Sequence, residues 1–98
     1  MNERLRETLV ITQEECAEVI QEISKIFRFG INETHKSGIV HRDKLEMEIG
    51  DLLCMVDLLI EQDVISKSGL DRAKQVKQDK LKIWSSIFKE EINDVCSN

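Results

Sequence analysis

The sequence contains no proline and no tyrosine, and only four of its 98 residues are glycine. Folds built from short strands need such residues at their many tight turns, so this scarcity argues against a turn-rich β protein. Glycine and proline are also the residues that most disfavour a helix interior. The composition therefore predicts an all-α fold.

Long hydrophobic runs are also missing. No apolar run approaches the roughly 18 residues that indicate a membrane-spanning helix. The first ten residues, MNERLRETLV, lack the apolar segment of a secretory signal. We therefore expect a cytoplasmic protein that has no membrane partner.

Acidic residues outnumber basic ones. The chain has 14 Lys and Arg against 19 Asp and Glu, which gives a formal net charge of −5. A protein that binds nucleic acid usually has a basic face, so we expect no nucleic-acid partner. A small phosphorylated ligand held through a metal ion is compatible with this charge, because the ion reverses the local sign.

Hydrophobic residues make up 41% of the chain and charged residues 34%, as in a folded, water-soluble protein. The length predicts one domain, residues 1–98, with a thin core that favours oligomerisation. The three cysteines, Cys16, Cys54 and Cys96, are far apart and odd in number. We interpret them as reduced thiols rather than as a disulfide or zinc site, with two at core-like helical positions.

The first third of the chain has the spacing of a helix. Steps of four and three residues connect a mostly apolar seam, which predicts a first helix from about residue 3 to 28. Gly30 is the expected stop signal. The segment from Gly30 to Asp43 has no clean periodicity and predicts a connection of about ten residues or more. The seam consists of Leu5, Leu9, Thr12, Cys16, Val19, Ile23 and Ile26.

Two further helices follow. The four-three spacing returns from Leu45 to Leu59 and predicts a second helix that ends around residues 63–65. Its apolar face is wide, so we expect it to be the most buried helix and to be covered partly by another subunit. Ser68 and Asp71 have the spacing of a capping box and predict a third helix from about 69 to 95. Together these segments predict an antiparallel bundle of three long helices, completed by oligomerisation.

Four acidic residues lie beside the first two seams. Glu15 and Glu18 are three residues apart on the first helix, and Glu48 and Asp51 are three apart on the second. Residues at this spacing share a helix face, so packing of the two seams would bring both pairs together. Carboxylates that close repel one another unless a cation compensates them. Oxygen-only ligands select Mg²⁺ or Mn²⁺.

The same acids allow a plainer interpretation. A single acidic pair at this spacing is common on a solvated helix face. A chain with only such faces would be a non-catalytic helical oligomerisation or adaptor module. Because two pairs stand in the same angular relation to adjacent seams, a metal site and a solvated face are about equally well supported by the pattern alone.

The acidic motifs have a family resemblance. EECAE at residues 14–18, followed by EIGD at residues 48–51, is similar to the EExxE and ExxD motifs of all-α nucleoside triphosphate pyrophosphohydrolases. Short, phage-type members of the MazG-like group are the most similar. The resemblance is good over about residues 8–60 and loose over the third helix. The interval between the two motifs, 29 residues, is long for the family. If a phage encodes the chain, the expected location is the host cytoplasm.

The resemblance implies a reaction. Family members are helical, assemble as homodimers or homotetramers, and hydrolyse a nucleoside or deoxynucleoside triphosphate between the α and β phosphates. The cofactor it implies is Mg²⁺, for which Mn²⁺ would substitute. Glu15, Glu18, Glu48 and Asp51 match the metal ligands, and Glu14 or Glu15 is the candidate general base. A member specific for dUTP or dCTP would differ in substrate rather than in reaction.

Basic and aromatic residues are weaker candidates. Basic residues near a helix end also favour the helix dipole, and a lysine run is usually solvated. Phe27 and Trp84 could stack on a base, but their spacing favours the core. We expect His35 and His41, in the connection, to be exposed. The candidate phosphate contacts are Lys25, Arg28, Lys74, Lys77 and Lys80.

Overall fold

A computed structural model describes residues 1–89 and contains three helices: α1 (Glu3–Phe29), α2 (His41–Glu61) and α3 (Lys67–Trp84). No strand occurs between residues 1 and 89, apart from one isolated antiparallel bridge. The predicted all-α class is confirmed. Within the same range, no helix combines the length and apolarity needed to cross a membrane. The chain divides into two compact units, Met1–Val64 and Ile65–Asn98.

Helix α1 begins and ends as its sequence predicts. The Asn2 side chain caps the helix, because its Oδ1 accepts a hydrogen bond from the Leu5 backbone N–H at 2.8 Å. The helix ends at its C-cap residue, Gly30, whose φ of 105° is a backbone conformation that residues with a side chain rarely adopt. The Gly30 N–H donates to the Ile26 carbonyl at 2.8 Å, so the last turn is closed.

Helices α1 and α2 pack as an antiparallel hairpin within the first unit. At the open end, Gln62 Nε2 donates to the buried Thr8 Oγ1 at 3.0 Å. The Arg4 guanidinium meets Glu61 at 3.1 Å nearby. These contacts join residues 54 and 57 positions apart in sequence, so they fix how far one helix is displaced along the other.

The connection between α1 and α2 spans residues 30–40, in agreement with the predicted length of about ten residues or more. Backbone hydrogen bonds from His35 to Ile39 (2.7 Å) and from His41 to Glu33 (2.9 Å) fold it into a compact loop. Helix α2 begins at His41 instead of near Leu45. The first turn of α2 reads HRDK, and without an apolar residue it carries no periodic signal.

The core of the first unit is thin. Among the described residues, only Met55 and Leu59, both on α2, are buried hydrophobic side chains. The prediction that Cys16 occupies a core-like position is wrong, because Cys16 is exposed and, like the exposed Cys54, free. Periodicity identifies one side of a helix, but a hairpin with a single partner helix covers only part of that side. Coverage of α2 by another subunit stays a prediction.

Helix α3 belongs to the second unit and differs from its prediction at both ends. Ser66 is the N-cap, accepting from the Gly69 N–H at 3.0 Å, so the proposed cap at Ser68 is wrong. The helix ends at Trp84, and residues 86–89 form bends and turns. The predicted continuation through residues 90–95 lies outside the described residues. The core positions predicted for Phe27 and Trp84 are also wrong, since these side chains are 86% and 83% exposed.

Candidate functional site

The hairpin brings acidic side chains from both helices together. Glu15 of α1 and Glu48 and Asp51 of α2 each offer a carboxylate oxygen, and these oxygens all lie within 4.8 Å of one another. In an antiparallel hairpin, successive residues of α1 lie beside progressively earlier residues of α2, and this arrangement places Glu15 beside Glu48 and Asp51. We call Glu15, Glu48 and Asp51 the acidic cluster.

Glu18 and Glu14 lie at the edge of the acidic cluster. The Glu18 carboxylate is within hydrogen-bonding reach of Glu48, although it lies outside the group that meets at 4.8 Å. Glu14 is exposed, and its negative charge acts on Glu15. All four predicted metal ligands therefore occupy one stretch of the α1–α2 seam.

The surroundings of the acidic cluster raise the pKa of two of its members, Glu48 and Glu15. A hydrogen bond to Glu18, burial, and the negative charges of Glu18 and Asp51 raise the pKa of Glu48 from 4.5 to about 7, against the opposing effect of Lys44. Burial, followed by the charges of Glu18, Asp51 and Glu14, raises the pKa of Glu15. Because an ionised carboxylate has no proton to donate, a hydrogen bond from Glu48 to the Glu18 carboxylate requires Glu48 to be protonated.

The acidic cluster fits a hard divalent cation. Glu15 Oε2 and Glu48 Oε2 are buried and have no hydrogen-bond partner among residues 1–89. A buried carboxylate oxygen without a partner is costly, and a bound cation compensates it. All donors are carboxylate oxygens, a set that suits Mg²⁺ or Mn²⁺ rather than zinc.

Further along the same seam lies a group that sequence reasoning missed. Glu22 and His41 are 4% and 3% exposed, and Glu22 Oε2 lies 4.0 Å from His41 Nδ1. Lys25 Nζ contacts the other Glu22 oxygen at 3.3 Å. The predicted exposure of His41 is therefore wrong. Glu22 continues the acidic stripe one turn beyond Glu18, which is the signal that could have identified it.

The candidate phosphate contacts are divided between the two units. Lys25 and Arg28 line a pocket of about 500 Å³ in the first unit. Lys74, Lys77 and Lys80 are exposed on α3, in the second unit, and Lys74 lies 3.9 Å from Asp71. A phosphate-binding role for these five residues stays a prediction.

Comparison with known families decides the relationship. The model of the MazG nucleotide pyrophosphohydrolase domain matches residues 3–82. The chain belongs to the MazG family. The match extends beyond the two acidic motifs into α3, where the sequence resemblance was loose. Comparisons with curated proteins and with solved structures find no significant match. The MazG domain indicates nucleotide pyrophosphohydrolase activity, and its all-α fold agrees with the three helices described.

The raised pKa of Glu48 predicts how the metal-free MazG domain responds to pH. Between pH 4.5 and about 7 the folded chain binds more protons at Glu48 than the unfolded chain does. The free energy of unfolding should therefore fall as the pH rises through this window, by less than the roughly 3.4 kcal/mol of the full pKa shift, because solvent screens this side chain. Urea unfolding in EDTA at pH 5 and pH 8 measures the change.

The matched variant for this measurement is Glu48→Gln, which keeps the size of the side chain and presents an amide donor to Glu18. Its pH dependence should be shallower, and at pH 8 it should be more stable than the parent. An equally steep decline in both proteins would show that Glu48 does not carry the effect.

Proposed function

We propose that this MazG protein hydrolyses a nucleoside or deoxynucleoside triphosphate at the α–β phosphate bond, with Mg²⁺ as cofactor and Mn²⁺ able to substitute. The observation that supports this is the convergence of Glu15, Glu48 and Asp51 within 4.8 Å. A solvated acidic face would separate these carboxylates, whereas here two of their oxygens are buried without a partner among residues 1–89.

Glu15, Glu18, Glu48 and Asp51 would hold the cation. When bound, it would offset negative charge on the phosphate oxygens and lower the pKa of a water molecule. Holding these ligands on two packed helices fixes their spacing before substrate arrives, which is the preorganisation that phosphoryl transfer depends on.

The chain's own carboxylates would handle the proton. The oxygen of water forms a bond to one of the two phosphorus atoms of the α–β linkage, the bond from that phosphorus to the bridging oxygen breaks, and the other phosphate group leaves with the bridging oxygen and the electron pair. The proton of the water passes to a carboxylate, for which Glu15 and Glu14 are the candidates. Burial and the neighbouring negative charges raise the pKa of Glu15, which makes its carboxylate a stronger base.

A substrate panel tests the proposal. The purified protein is incubated with each common NTP and dNTP and with Mg²⁺ or Mn²⁺, and the products are separated by ion-exchange chromatography. We expect monophosphate and pyrophosphate from at least one triphosphate, and no reaction in EDTA. Diphosphate and inorganic phosphate would contradict the proposed bond, and no reaction with any substrate would favour a non-catalytic adaptor.

A further inference from the structure

A pocket of about 500 Å³ opens where α1 ends and the connecting loop folds back. It lies wholly within the first unit, and the residues around it come from the last turns of α1, from the loop and from the start of α2. Its lining is rich in nitrogen-bearing side chains. The lining residues are Lys25, Arg28, Phe29, Thr34, His35, Lys36 and His41.

The residues that line the pocket carry a net positive charge. Three of its side chains, Lys25, Arg28 and Lys36, are cations. Glu22, the acid that contacts Lys25 at 3.3 Å, is buried. The environment of His35 agrees: burial, and then the charges of Lys25 and Lys44, lower its pKa. The pocket therefore favours an anionic ligand.

The pocket and the acidic cluster occupy one seam. Lys25 follows Glu18 by seven residues on α1, and His41 precedes Glu48 by seven on α2. At 1.5 Å per residue, each helix places the pocket roughly 10 Å from the acids. Lys44 lies between them on α2, three residues after His41 and four before Glu48.

We propose that this pocket binds the pyrophosphate half of the substrate. The phosphate chain would then run from the acidic cluster toward the loop, with Lys25, Arg28 and Lys36 offering charged hydrogen bonds to the terminal phosphates. This proposal rests on the proposed function, in which cleavage at the α–β bond gives pyrophosphate as one of the two products.

The lining favours phosphate over a nucleobase. Phe29 stacks on His41 with ring centroids 5.6 Å apart. The Arg28 guanidinium carbon lies 4.9 Å from the centroid of the Phe29 ring. The aromatic ring is thus already in contact with protein groups. The three cations, in contrast, outnumber the single acid that contacts them within residues 1–89. Point charges and N–H donors recognise phosphate oxygens, and they give no preference among bases.

Calorimetric titration with inorganic pyrophosphate tests the proposal, in Mn²⁺ and again in EDTA. Arg28→Ala and Lys36→Ala alter exposed side chains, so both variants should fold, which thermal melting verifies. The matched control is Arg6→Ala, also exposed and on α1. We expect pyrophosphate affinity to fall about tenfold in each pocket variant and to stay at the parental value in the control.

A parallel titration uses the nucleoside monophosphate product of the best substrate. Its affinity should be unchanged by Arg28→Ala and Lys36→Ala. An unchanged pyrophosphate affinity in both pocket variants would overturn the proposal, as would an equal loss of monophosphate affinity, which would place the nucleoside half there. These titrations measure binding rather than hydrolysis. If the pocket binds pyrophosphate but the protein hydrolyses no triphosphate, the result contradicts the proposed function and leaves the pyrophosphate site intact.

Discussion

Replacing Glu48 by glutamine is expected to reduce the rate of triphosphate hydrolysis by about 100-fold or more. The substitution preserves the volume of the side chain and a hydrogen bond to Glu18, and it removes one anionic ligand from the acidic cluster. Glu48 is the residue on which the effects of Glu18, Asp51 and burial converge, so its loss should affect the site most. Initial rates at saturating Mg²⁺ and substrate measure the effect.

The control for this variant is Glu46→Gln, which removes the same charge two residues away on α2. Glu46 is exposed and is not part of the acidic cluster. It should retain activity close to that of the parent. If the two variants lose activity equally, the general negative charge of the helix matters rather than the cluster.

The second large effect is expected in thermal stability. Mn²⁺ should raise the melting midpoint of the parent, because an ion that binds only the folded state stabilises it by about 2.7 kcal/mol at 100 times its Kd. Asp51→Asn should lose most of this increase, since it takes one oxygen charge from the cluster. Differential scanning fluorimetry across a Mn²⁺ series at constant ionic strength provides the comparison.

Asp57→Asn is the matched variant for stability. Asp57 is exposed on the same helix, outside the acidic cluster, and its variant should respond to Mn²⁺ as the parent does. A midpoint that does not move with Mn²⁺ in the parent, or that moves equally in all three proteins, would contradict a specific site at the cluster.

The sequence allowed the hairpin and its acids to be predicted for physical reasons. A helical seam sustained from Leu5 to Ile26 fixes one face of α1, and the acids at residues 15 and 18 keep a constant angle to it. The same relation holds for residues 48 and 51. If two such seams pack together, the acidic pairs converge, so the sequence offered the cluster as one of two alternatives; which of the two holds depends on the packing, and the sequence pattern does not determine that.

Features that depend on tertiary contacts could not be predicted in this way. His41 is polar and follows a loop, and its burial arises from the loop folding back to place it against Phe29 and Glu22. The end of α3 at Trp84 was missed because apolar residues recur beyond it at intervals that also suit a helix. The pocket takes residues from α1, the loop and α2, and no local pattern combines them.

The hydrogen bond from Gln62 to Thr8 has a consequence for catalysis at a distance. Sliding α2 past α1 by a single turn, about 5.4 Å, would place Glu15 beside a different set of side chains and separate the acidic cluster without unfolding either helix. This contact and the folded loop at the opposite end of the hairpin both oppose such a displacement. Residues remote from the acids thus help to hold the two helices in the position in which the acids meet.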